Sequence, residues 1–512
     1  MISLLAIPWL ATLLLSVTLD ILAMPKVSAW HQRTARSILL HMATMTWLFI
    51  LFLSLWGRAW FAMICAVGLL GLLVAVSNAK FKALREPVVF SDLALFAQSI
   101  RHPRLYFPYL SWLLLAAVVP AVGLLALAFW FDPEIAPLPS GILGLLWLAL
   151  FPLQIWLAKG MNVTLAPAED QAKHGFFTVF VTYLLNGLSL REIRHVKTQF
   201  AASPYANIGI RASKKSSRQK IDQPDVLVIQ SESFFDIRKT GLWIEPSVMQ
   251  HFDALKRAGI SSGALSVPAW GANTMRTEHA FLSGLPNSAL RYGSFYPYAF
   301  VTKTTSAMPY AFKALGYRCT AVHPYPADFF LRHKVFPRLG FDEFADEAHF
   351  LDAAHDGPYV SDKAVTDWLI GRLERLSDQP QLIFAITMEN HGPLHLEKST
   401  SLEADLFYRC PDGQTIGDLT VYLRHLSNAN KMLGRLQEFL AQRKRKTLLC
   451  FYGDHVPGMS QVFETLKTNP TDSDFLIWGS HEVTSHGVAS QSSRVITPEQ
   501  LGLKLAQIAG VI

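Results

Sequence analysis

Residues 225–236 read DVLVIQSESFFD, an apolar run of strand length that gives way at once to polar residues. Helical stretches separate this run from four more of the same kind, YRCTAVH (317–323), QLIFAITM (381–388), TLLCFYG (447–453) and DFLIWG (474–479). Continuous apolar strands that alternate with helices are typical of a parallel sheet that is buried on both faces. The pattern therefore predicts an α/β domain over residues 222–512, with a mainly parallel central sheet covered by helices on both faces.

The first 160 residues have a different composition. The chain of 512 residues is 51% hydrophobic and only 17% charged, and most of the apolar excess lies in the N-terminal part. A membrane-spanning helix needs roughly 20 apolar residues. Five runs meet that requirement, at 2–24, 37–57, 59–78, 106–131 and 139–159. The sequence therefore predicts a multi-span α-helical membrane domain with five crossings over residues 1–160.

Residues 161–221 are predicted to connect the two parts. The run GFFTVFVTYLLNGLSL (175–190) is short and carries polar residues, which favours a helix on the membrane surface over a crossing. The run RASKKSSRQK (211–220) is interpreted as a solvated basic linker, with attraction to anionic lipid headgroups as the alternative. The formal net charge is +7, but no basic stripe alternates with aromatic residues in a soluble segment, so no nucleic-acid partner is expected.

The basic residues between the spans bear on orientation. With five crossings, the loops after spans 1 and 3 lie on the same side as the C-terminal domain, and they hold more Lys and Arg than the loops after spans 2 and 4. The positive-inside rule, taken alone, then places the C-terminal domain in the cytoplasm.

Polar side chains follow four of the predicted strands. Glu232 follows the first strand, His323 ends the second, His391 follows the third, and Asp454 and His455 follow the fourth. A single histidine at a strand end is more often structural than functional. The carboxyl ends of parallel strands meet at one edge of a sheet, however, and ligands bind there. We therefore expect these side chains to form one site.

Three of these residues form a donor set for a metal ion. Glu232, Asp454 and His455 supply two carboxylates and an imidazole, which suit a divalent cation such as Mn²⁺, Mg²⁺ or Zn²⁺. Such an ion stabilises charge on a transferring phosphoryl group and lowers the pKa of a bound hydroxyl. The residues therefore predict metal-assisted phosphoryl transfer.

Thr274 allows two interpretations. It lies in GANTMRTEHAFLSG (271–284), where Asn273 or Thr274 could cap a short helix. It could equally be a nucleophile, because a helix N-terminus attracts an incoming phosphate. His323, Arg332 and His391 would then bind phosphate oxygens or protonate a leaving group.

The motifs resemble the alkaline phosphatase/sulfatase superfamily, and within it the lipoteichoic acid synthase family of phosphoglycerol transferases. The resemblance extends over nearly all of 222–480 and includes the five-span N-terminal part. The matching pieces are KALREPVVFSDLAL (82–95), ESFFD (232–236), GANTMRTE (271–278), HPYPADFFLRHKVFPRLGFDEF (323–344), ENHGP (389–393) and FYGDH (451–455).

The resemblance implies a role for each matching residue. One divalent metal ion, with Mn²⁺ favoured over Mg²⁺ or Zn²⁺, would be held by Glu232, Thr274, Asp454 and His455, and Thr274 would be the nucleophile. Residues of the substrate-binding set would contact the phosphoglycerol headgroup: His323, Phe330, Arg332 and His391. Phe330 stands where the family often has a tryptophan, so the ring is kept and the indole N–H is lost.

The resemblance also implies a reaction and a location. Thr274 would attack phosphatidylglycerol and release diacylglycerol, and a glycan or polyglycerophosphate acceptor would then take the phosphoglycerol unit. The protein would lie in the bacterial cytoplasmic membrane with its catalytic domain outside, against the count of loop charges.

Three alternatives remain open from the sequence. The donor could be phosphatidylethanolamine, or water could be the acceptor, which would make the protein a lipid phosphodiesterase. The chain could also be a non-catalytic membrane scaffold, although a relic would be expected to have lost part of the set Glu232, Thr274, Asp454 and His455.

Overall fold

The chain divides into two compact units, Met1–Ile193 and Arg194–Ile512. The computed structural model describes residues 2–106, 108, 112–134, 140–206, 223–375, 378–409, 416–480, 491–492 and 495–512. The basic run at 211–220 lies outside the described residues, so its predicted role as a linker stays a prediction.

The first unit consists of helices. Among the described residues, four of its helical segments are long and apolar enough to cross a membrane, by length and composition alone: Leu4–Ile21, Ala35–Trp56, Ala59–Leu84 and Gly141–Lys159. The remaining predicted crossing, 106–131, overlaps the helix Trp112–Phe131 and stays a prediction as a span. The α-helices of this unit are Ile2–Ile21, Ala35–Trp56, Ala59–Leu84, Asp92–Arg101, Pro103–Tyr106, Trp112–Phe131, Ser140–Lys159, Pro167–His174 and Phe176–Gly187, and Leu190–Ala201 begins in it.

The predicted surface helix is present as Phe176–Gly187, with 12 residues. Residues 176–183 are all buried, and Phe176, Phe177, Phe180 and Val181 belong to a hydrophobic core of the first unit. A helix lying on a membrane would keep one polar face exposed. The segment therefore packs as a core helix of this unit, and its contact with the membrane surface stays a prediction.

The second unit is built on an eight-stranded sheet, beside which lies a separate two-stranded ribbon. The strands are β1 Asp225–Ser231, β2 Ser261–Ser266, β3 Arg318–Val322, β4 Glu343–Ala345, β5 His355–Asp356, β6 Tyr359–Val360, β7 Gln381–Ile386, β8 Thr447–Gly453, β9 Asp472–Gly479 and β10 Gln491–Ser492. Their order in the sheet is β10-β2-β9-β8-β1-β7-β3-β4, and the ribbon pairs β5 with β6.

The sheet is mainly parallel, as predicted. Strands β8, β1, β7, β3 and β4 are parallel neighbours, whereas β9 runs antiparallel to both β8 and β2. All five predicted strands are present. The sequence did not predict β2, which reads SSGALS, because its polar residues lack the apolar signal of a central strand.

Helices cover both faces of the sheet. On one face, Leu227 and Ile229 of β1 belong to a core with Phe252 and Leu433 of two covering helices. On the other face, Phe281 stacks on Tyr452 of β8 with ring centroids 4.9 Å apart. The α-helices that lie wholly in this unit are Gln250–Ala258, Thr274–Ser283, Met308–Lys313, Arg332–Leu339, Asp362–Glu374, Ser401–Ala404, Gly417–Gln442, Ser460–Thr465 and Pro498–Ile508.

Candidate active site

The sheet order brings the predicted residues to one edge. Because β8, β1, β7 and β3 are parallel neighbours, the segments that follow them emerge side by side. Asp454 and His455 therefore stand beside Glu232, and the loop with His391 stands between Glu232 and His323. The structure thus groups side chains that lie far apart in the sequence.

Glu232, Asp454 and His455 form a compact buried group. The Nε2 atom of His455 lies 3.4 Å from Oε1 of Glu232 and 3.4 Å from Oδ2 of Asp454. Within the described residues, neither Nε2 of His455 nor Oδ2 of Asp454 has a hydrogen-bond partner, although both atoms are buried. Ligand atoms around a tetrahedral ion with bonds of about 2.0–2.2 Å lie about 3.3–3.6 Å apart. The three residues therefore fit a divalent cation.

Neighbouring groups orient these ligand atoms. Nδ1 of His455 lies 3.1 Å from the carbonyl oxygen of Val456, so a proton on Nδ1 leaves Nε2 free as a ligand. Oδ1 of Asp454 accepts the backbone N–H groups of Ser233 and His455, each at 2.9 Å, and this leaves Oδ2 for an ion. Ser233 also donates its hydroxyl to Oε1 of Glu232 at 2.9 Å. The sequence did not indicate this role of Ser233.

The charges of the group call for a cation. Burial and then the nearby carboxylate of Asp454 raise the pKa of Glu232, to about 8, while His455 acts in the opposite direction. Glu232 and Asp454 each have a carboxylate oxygen within 4.8 Å of the other's, and two buried carboxylates that close repel each other. A bound divalent ion would offset both the burial and the repulsion.

Thr274 begins the helix Thr274–Ser283 and is buried. Two contacts tie this segment to the loop after β8. The N–H of Gly271 donates to the carbonyl of Val456 at 2.9 Å, and the hydroxyl of Thr277 donates to the carbonyl of Asp454 at 2.7 Å. Asn273 precedes the helix in a left-handed conformation with φ of 66° and makes no side-chain cap, so the expected cap by Asn273 is not formed.

His323 is a buried imidazole in the candidate site, and His391 is half-buried. Nδ1 of His323 lies 3.4 Å from the carbonyl oxygen of Ile386, and its buried Nε2 has no hydrogen-bond partner among the described residues. Burial and then the charge of Arg332 hold the pKa of His323 well below its usual range. Burial likewise lowers the pKa of His391. Each ring is therefore uncharged at neutral pH and can accept a proton.

Arg332 has a partner that the sequence did not predict. Its Nε and Nη2 atoms donate to the two carboxylate oxygens of Glu278, at 3.2 and 2.8 Å. Its buried Nη1 has no hydrogen-bond partner among the residues that the structure describes. The guanidinium lies 5.2 Å from the ring centroid of Phe330. Phe330 therefore packs on Arg332. Glu278 ends the motif GANTMRTE (271–278), four residues after Thr274. That spacing places both residues on one face of a helix, and it was the feature of the sequence that could have indicated a role for Glu278.

A second group, of Asp356, Glu389 and His425, also has the composition of a metal site. Its atoms, however, bond to one another and to their neighbours. The ring nitrogens of His425 lie 2.9 Å from Glu389 and 3.2 Å from Glu397, and Glu389 also accepts the backbone N–H of Asp362 at 2.5 Å. These hydrogen bonds hold the loop that carries His391.

Comparisons with known proteins add to this geometry. A capsular polysaccharide biosynthesis protein of Rhizobium meliloti is 27% identical over 455 residues, which are 83% of this chain and 79% of that protein. The structure of the lipooligosaccharide phosphoethanolamine transferase A of Neisseria meningitidis, an integral membrane protein, matches 96% of this chain and 95% of that chain, with a TM-score of 0.54 at 11% identity. This match shows a similar fold.

A phosphoglycerol transferase of Streptococcus pyogenes, solved in complex with sn-glycerol-1-phosphate, matches 62% of this chain and 81% of that chain, with 22% identity and a TM-score of 0.45. The sulfatase family model matches residues 224–511, which is more than half of the chain and includes the whole eight-stranded sheet. The chain therefore belongs to the sulfatase family.

Proposed function

We propose that this chain is a membrane-bound phosphoglycerol transferase. It moves sn-glycerol-1-phosphate from phosphatidylglycerol, through a covalent intermediate on Thr274, to a glycan or polyglycerophosphate acceptor, and releases diacylglycerol. The proposal rests above all on the buried group of Glu232, Asp454 and His455, to which the Thr274 helix is tied through Thr277. The sequence motifs that resemble phosphoglycerol transferases support the same reading.

The first half of the reaction forms the intermediate. The Oγ1 atom of Thr274 loses its proton and attacks phosphorus, and the bond between phosphorus and the diacylglycerol oxygen breaks. That oxygen takes up a proton and leaves as the diacylglycerol hydroxyl. Nε2 of His323, which has no hydrogen-bond partner among the described residues, can receive a proton once the phosphate is bound, because a nearby negative charge raises the pKa of an imidazole.

The second half regenerates the enzyme. A hydroxyl of the acceptor gives up its proton and attacks the same phosphorus. The bond to Oγ1 of Thr274 breaks, and Thr274 recovers a proton. The two halves use the same groups, because each is a displacement at one phosphorus atom.

Three further groups of this chain contribute to the proposal. The free Nη1 of Arg332 can donate to a phosphate oxygen, and the N-terminus of the helix Thr274–Ser283 favours the same anion. Glu232, Asp454 and His455, with Thr274, would hold one divalent ion, proposed to be Mn²⁺. When bound, such an ion acts as a Lewis acid that stabilises charge on the phosphoryl oxygens.

The membrane and the acceptor follow from separate observations. Four apolar helical segments long enough to cross a membrane support action on a lipid donor. The relative from Rhizobium meliloti is named for capsular polysaccharide biosynthesis, which supports a glycan acceptor. We place the protein in the bacterial cytoplasmic membrane with the sulfatase-like unit outside, where such acceptors are found.

Mass spectrometry of the full-length protein tests the reaction. The purified protein is incubated with Mn²⁺ and phosphatidylglycerol, and in parallel with phosphatidylethanolamine. We expect a glycerophosphate adduct on Thr274 together with free diacylglycerol, and neither product from Thr274→Ala. Unchanged diacylglycerol release by Thr274→Ala would overturn the covalent mechanism.

The same experiment separates the alternatives. A phosphoethanolamine adduct from the second lipid, without a glycerophosphate adduct from the first, would reassign the donor. Rapid loss of the adduct as free glycerophosphate, unaffected by an added glycan, would make the protein a lipid phosphodiesterase. Protection of an engineered surface cysteine of the second unit from impermeant reagents in intact cells would contradict the outside placement.

A further inference from the structure

Glu278 is a buried carboxylate with no role in the proposed reaction. Its side chain is fully buried, and it forms an ion pair with Arg332, whose side chain is only 1% exposed. Burying two charges is costly unless they pair well and their remaining hydrogen-bonding positions are filled. The contacts of Glu278 meet that condition.

The carboxylate of Glu278 has four donors. Arg332 donates through Nε at 3.2 Å and through Nη2 at 2.8 Å, in the two-point geometry that aligns a guanidinium with a carboxylate. The hydroxyl of Tyr298 donates to Oε1, and Nε2 of Gln230 donates to Oε2 at 3.4 Å. Gln230 is in turn held by the hydroxyl of Tyr452 at 2.6 Å. Glu278 is therefore fixed to the sheet.

The ion pair with Glu278 engages the Nε and Nη2 atoms of the Arg332 guanidinium and does not engage Nη1. Nη1 of Arg332 is buried and has no hydrogen-bond partner in the part of the chain that the structure describes. The rings of Phe329 and Phe330 lie against the guanidinium, 5.6 and 5.2 Å from their centroids, and restrict its rotation. Phe330 and Leu331, just before Arg332, have positive φ of 53° and 60°. Such strained backbone persists only where surrounding contacts hold it.

Glu278 also connects Arg332 to the proposed nucleophile. It lies four residues after Thr274 in the helix Thr274–Ser283, and residues at that spacing share a helix face. The same helix thus carries Thr274 at its N-terminus and the anchor of Arg332 one turn later.

We propose that Glu278 is a positioning residue that aims Nη1 of Arg332 at an oxygen of the phosphate attacked by Thr274. The identity of that phosphate rests on the proposed function. The alignment of Arg332 rests only on its contacts with Glu278. Arg332 then offers Nη1 alone to the phosphate, because its Nε and Nη2 atoms are bound to Glu278.

Glu278→Gln is the test variant, since it keeps the shape of the side chain and removes its charge. The new amide places an N–H group opposite a donor of Arg332, so the alignment is lost. Charge-assisted hydrogen bonds contribute about 1.5–3 kcal/mol, which corresponds to a loss of about 10- to 100-fold. We expect that loss in the rate of adduct formation on Thr274 and in the affinity of the Mn²⁺-loaded protein for inorganic phosphate. Glu278→Asp, which restores the charge, should recover part of both.

A double-mutant cycle distinguishes positioning from a general structural effect. In an Arg332→Ala background, Glu278→Gln should cause no further loss of phosphate affinity, because the group it aims is gone. Equal losses from Glu278→Gln in the presence and absence of Arg332 would overturn the inference, as would wild-type phosphate affinity in Glu278→Gln.

The controls separate this inference from the proposed function. Asp225 is also a buried carboxylate paired with an arginine, Arg443 at 2.9 Å, but it begins β1 whereas the site lies at the strand's other end. Asp225→Asn should lower the melting temperature and leave phosphate affinity unchanged. Phosphate binding needs no particular lipid, so the cycle still decides the role of Glu278 if phosphatidylglycerol gives no adduct.

Discussion

The hydroxyl of Thr277 donates to the backbone carbonyl of Asp454 at 2.7 Å. Both residues are fully buried. One helical turn from Thr274, this bond links the helix of the proposed nucleophile to a proposed metal ligand. The spacing between Thr274 and the metal-binding group therefore depends on a neutral hydrogen bond within the protein.

Thr277→Val should weaken that link without changing the charge of the site. The methyl group replaces the hydroxyl and leaves the Asp454 carbonyl without its donor, which costs about 1–3 kcal/mol of the free energy of unfolding. Small displacements of reacting groups lower rates steeply, so we expect adduct formation on Thr274 to slow by about tenfold or more. Mass spectrometry of samples quenched at successive times measures the rate of adduct formation, and thermal melting measures stability. Thr277→Ser should retain the bond and most of the rate; a rate as low as that of the valine variant would contradict this account.

Replacing a metal ligand in the group of Glu232, Asp454 and His455 should abolish tight metal binding, whereas the same kind of change in the second acidic group should not. Isothermal titration of the chelator-treated protein with Mn²⁺ should give one ion per chain. Asp454→Asn should weaken its affinity by at least about 100-fold, because even groups that only support metal ligands contribute about 10- to 100-fold. Asp356→Asn, in the second acidic group, is the matched control and should leave affinity and stoichiometry unchanged. A second ion that disappears in Asp356→Asn would show that the second group also binds metal.

The His425 network should make stability depend on pH. Burial alone would lower the pKa of His425, but its hydrogen bonds to Glu389 and Glu397 outweigh burial and raise it from 6.5 to about 9. A raised folded-state pKa stabilises the protein fully below the unfolded value of about 6.5, and this contribution is lost as the pH rises through 9. The upper limit is about 3 kcal/mol.

The measurement is the free energy of unfolding from pH 6 to 10, for the wild type and for His425→Gln. The difference between the two should be largest at pH 6 and shrink toward pH 10. A difference that stays constant over this range would show that folding does not raise the pKa of His425.

Two glycines should respond in opposite ways to replacement by alanine. A Cβ atom on Gly453, at the end of β8, would lie 1.9 Å from the backbone carbonyl oxygen of Phe234, and neither backbone can yield without moving the segments that carry Glu232 and Asp454. We expect Gly453→Ala to lower stability by several kcal/mol and to abolish metal binding. At Gly371 a Cβ would meet no atom of the described residues within 4 Å. Because that residue lies inside a helix, Gly371→Ala should raise stability by about 0.5–1 kcal/mol. Denaturant titration of both variants checks the pair.

The central strands were predictable from the sequence because their residues are apolar on both faces. DVLVIQ and TLLCFYG are buried throughout β1 and β8, which produces an uninterrupted signal. Strand β2 is an inner strand between β9 and β10, yet it reads SSGALS, and hydrogen bonding to its neighbours rather than apolar burial defines it. Strands of this kind leave little trace in composition.

The pattern of apolar strands also predicted that the metal-binding residues would lie together. It did not predict which side chain pairs with Arg332. Glu232, Asp454 and His455 could be placed together because each follows a parallel strand. The partner of Arg332 could not, because Glu278 lies 54 positions away and reaches it only through packing of the helix Thr274–Ser283 against the sheet. The aromatic contact between Phe330 and Arg332 likewise depends on two residues with positive φ, which the sequence does not reveal.

The pairing of β1 with β8 has a consequence for when the site can exist during synthesis. The ligands of the proposed ion come from residues 232, 454 and 455, so the set stays incomplete until synthesis has passed residue 455. Parallel partners so far apart in the chain join late in folding, after the segments between them have been produced. We therefore expect the ion to bind only after β8 has been made and has paired with β1.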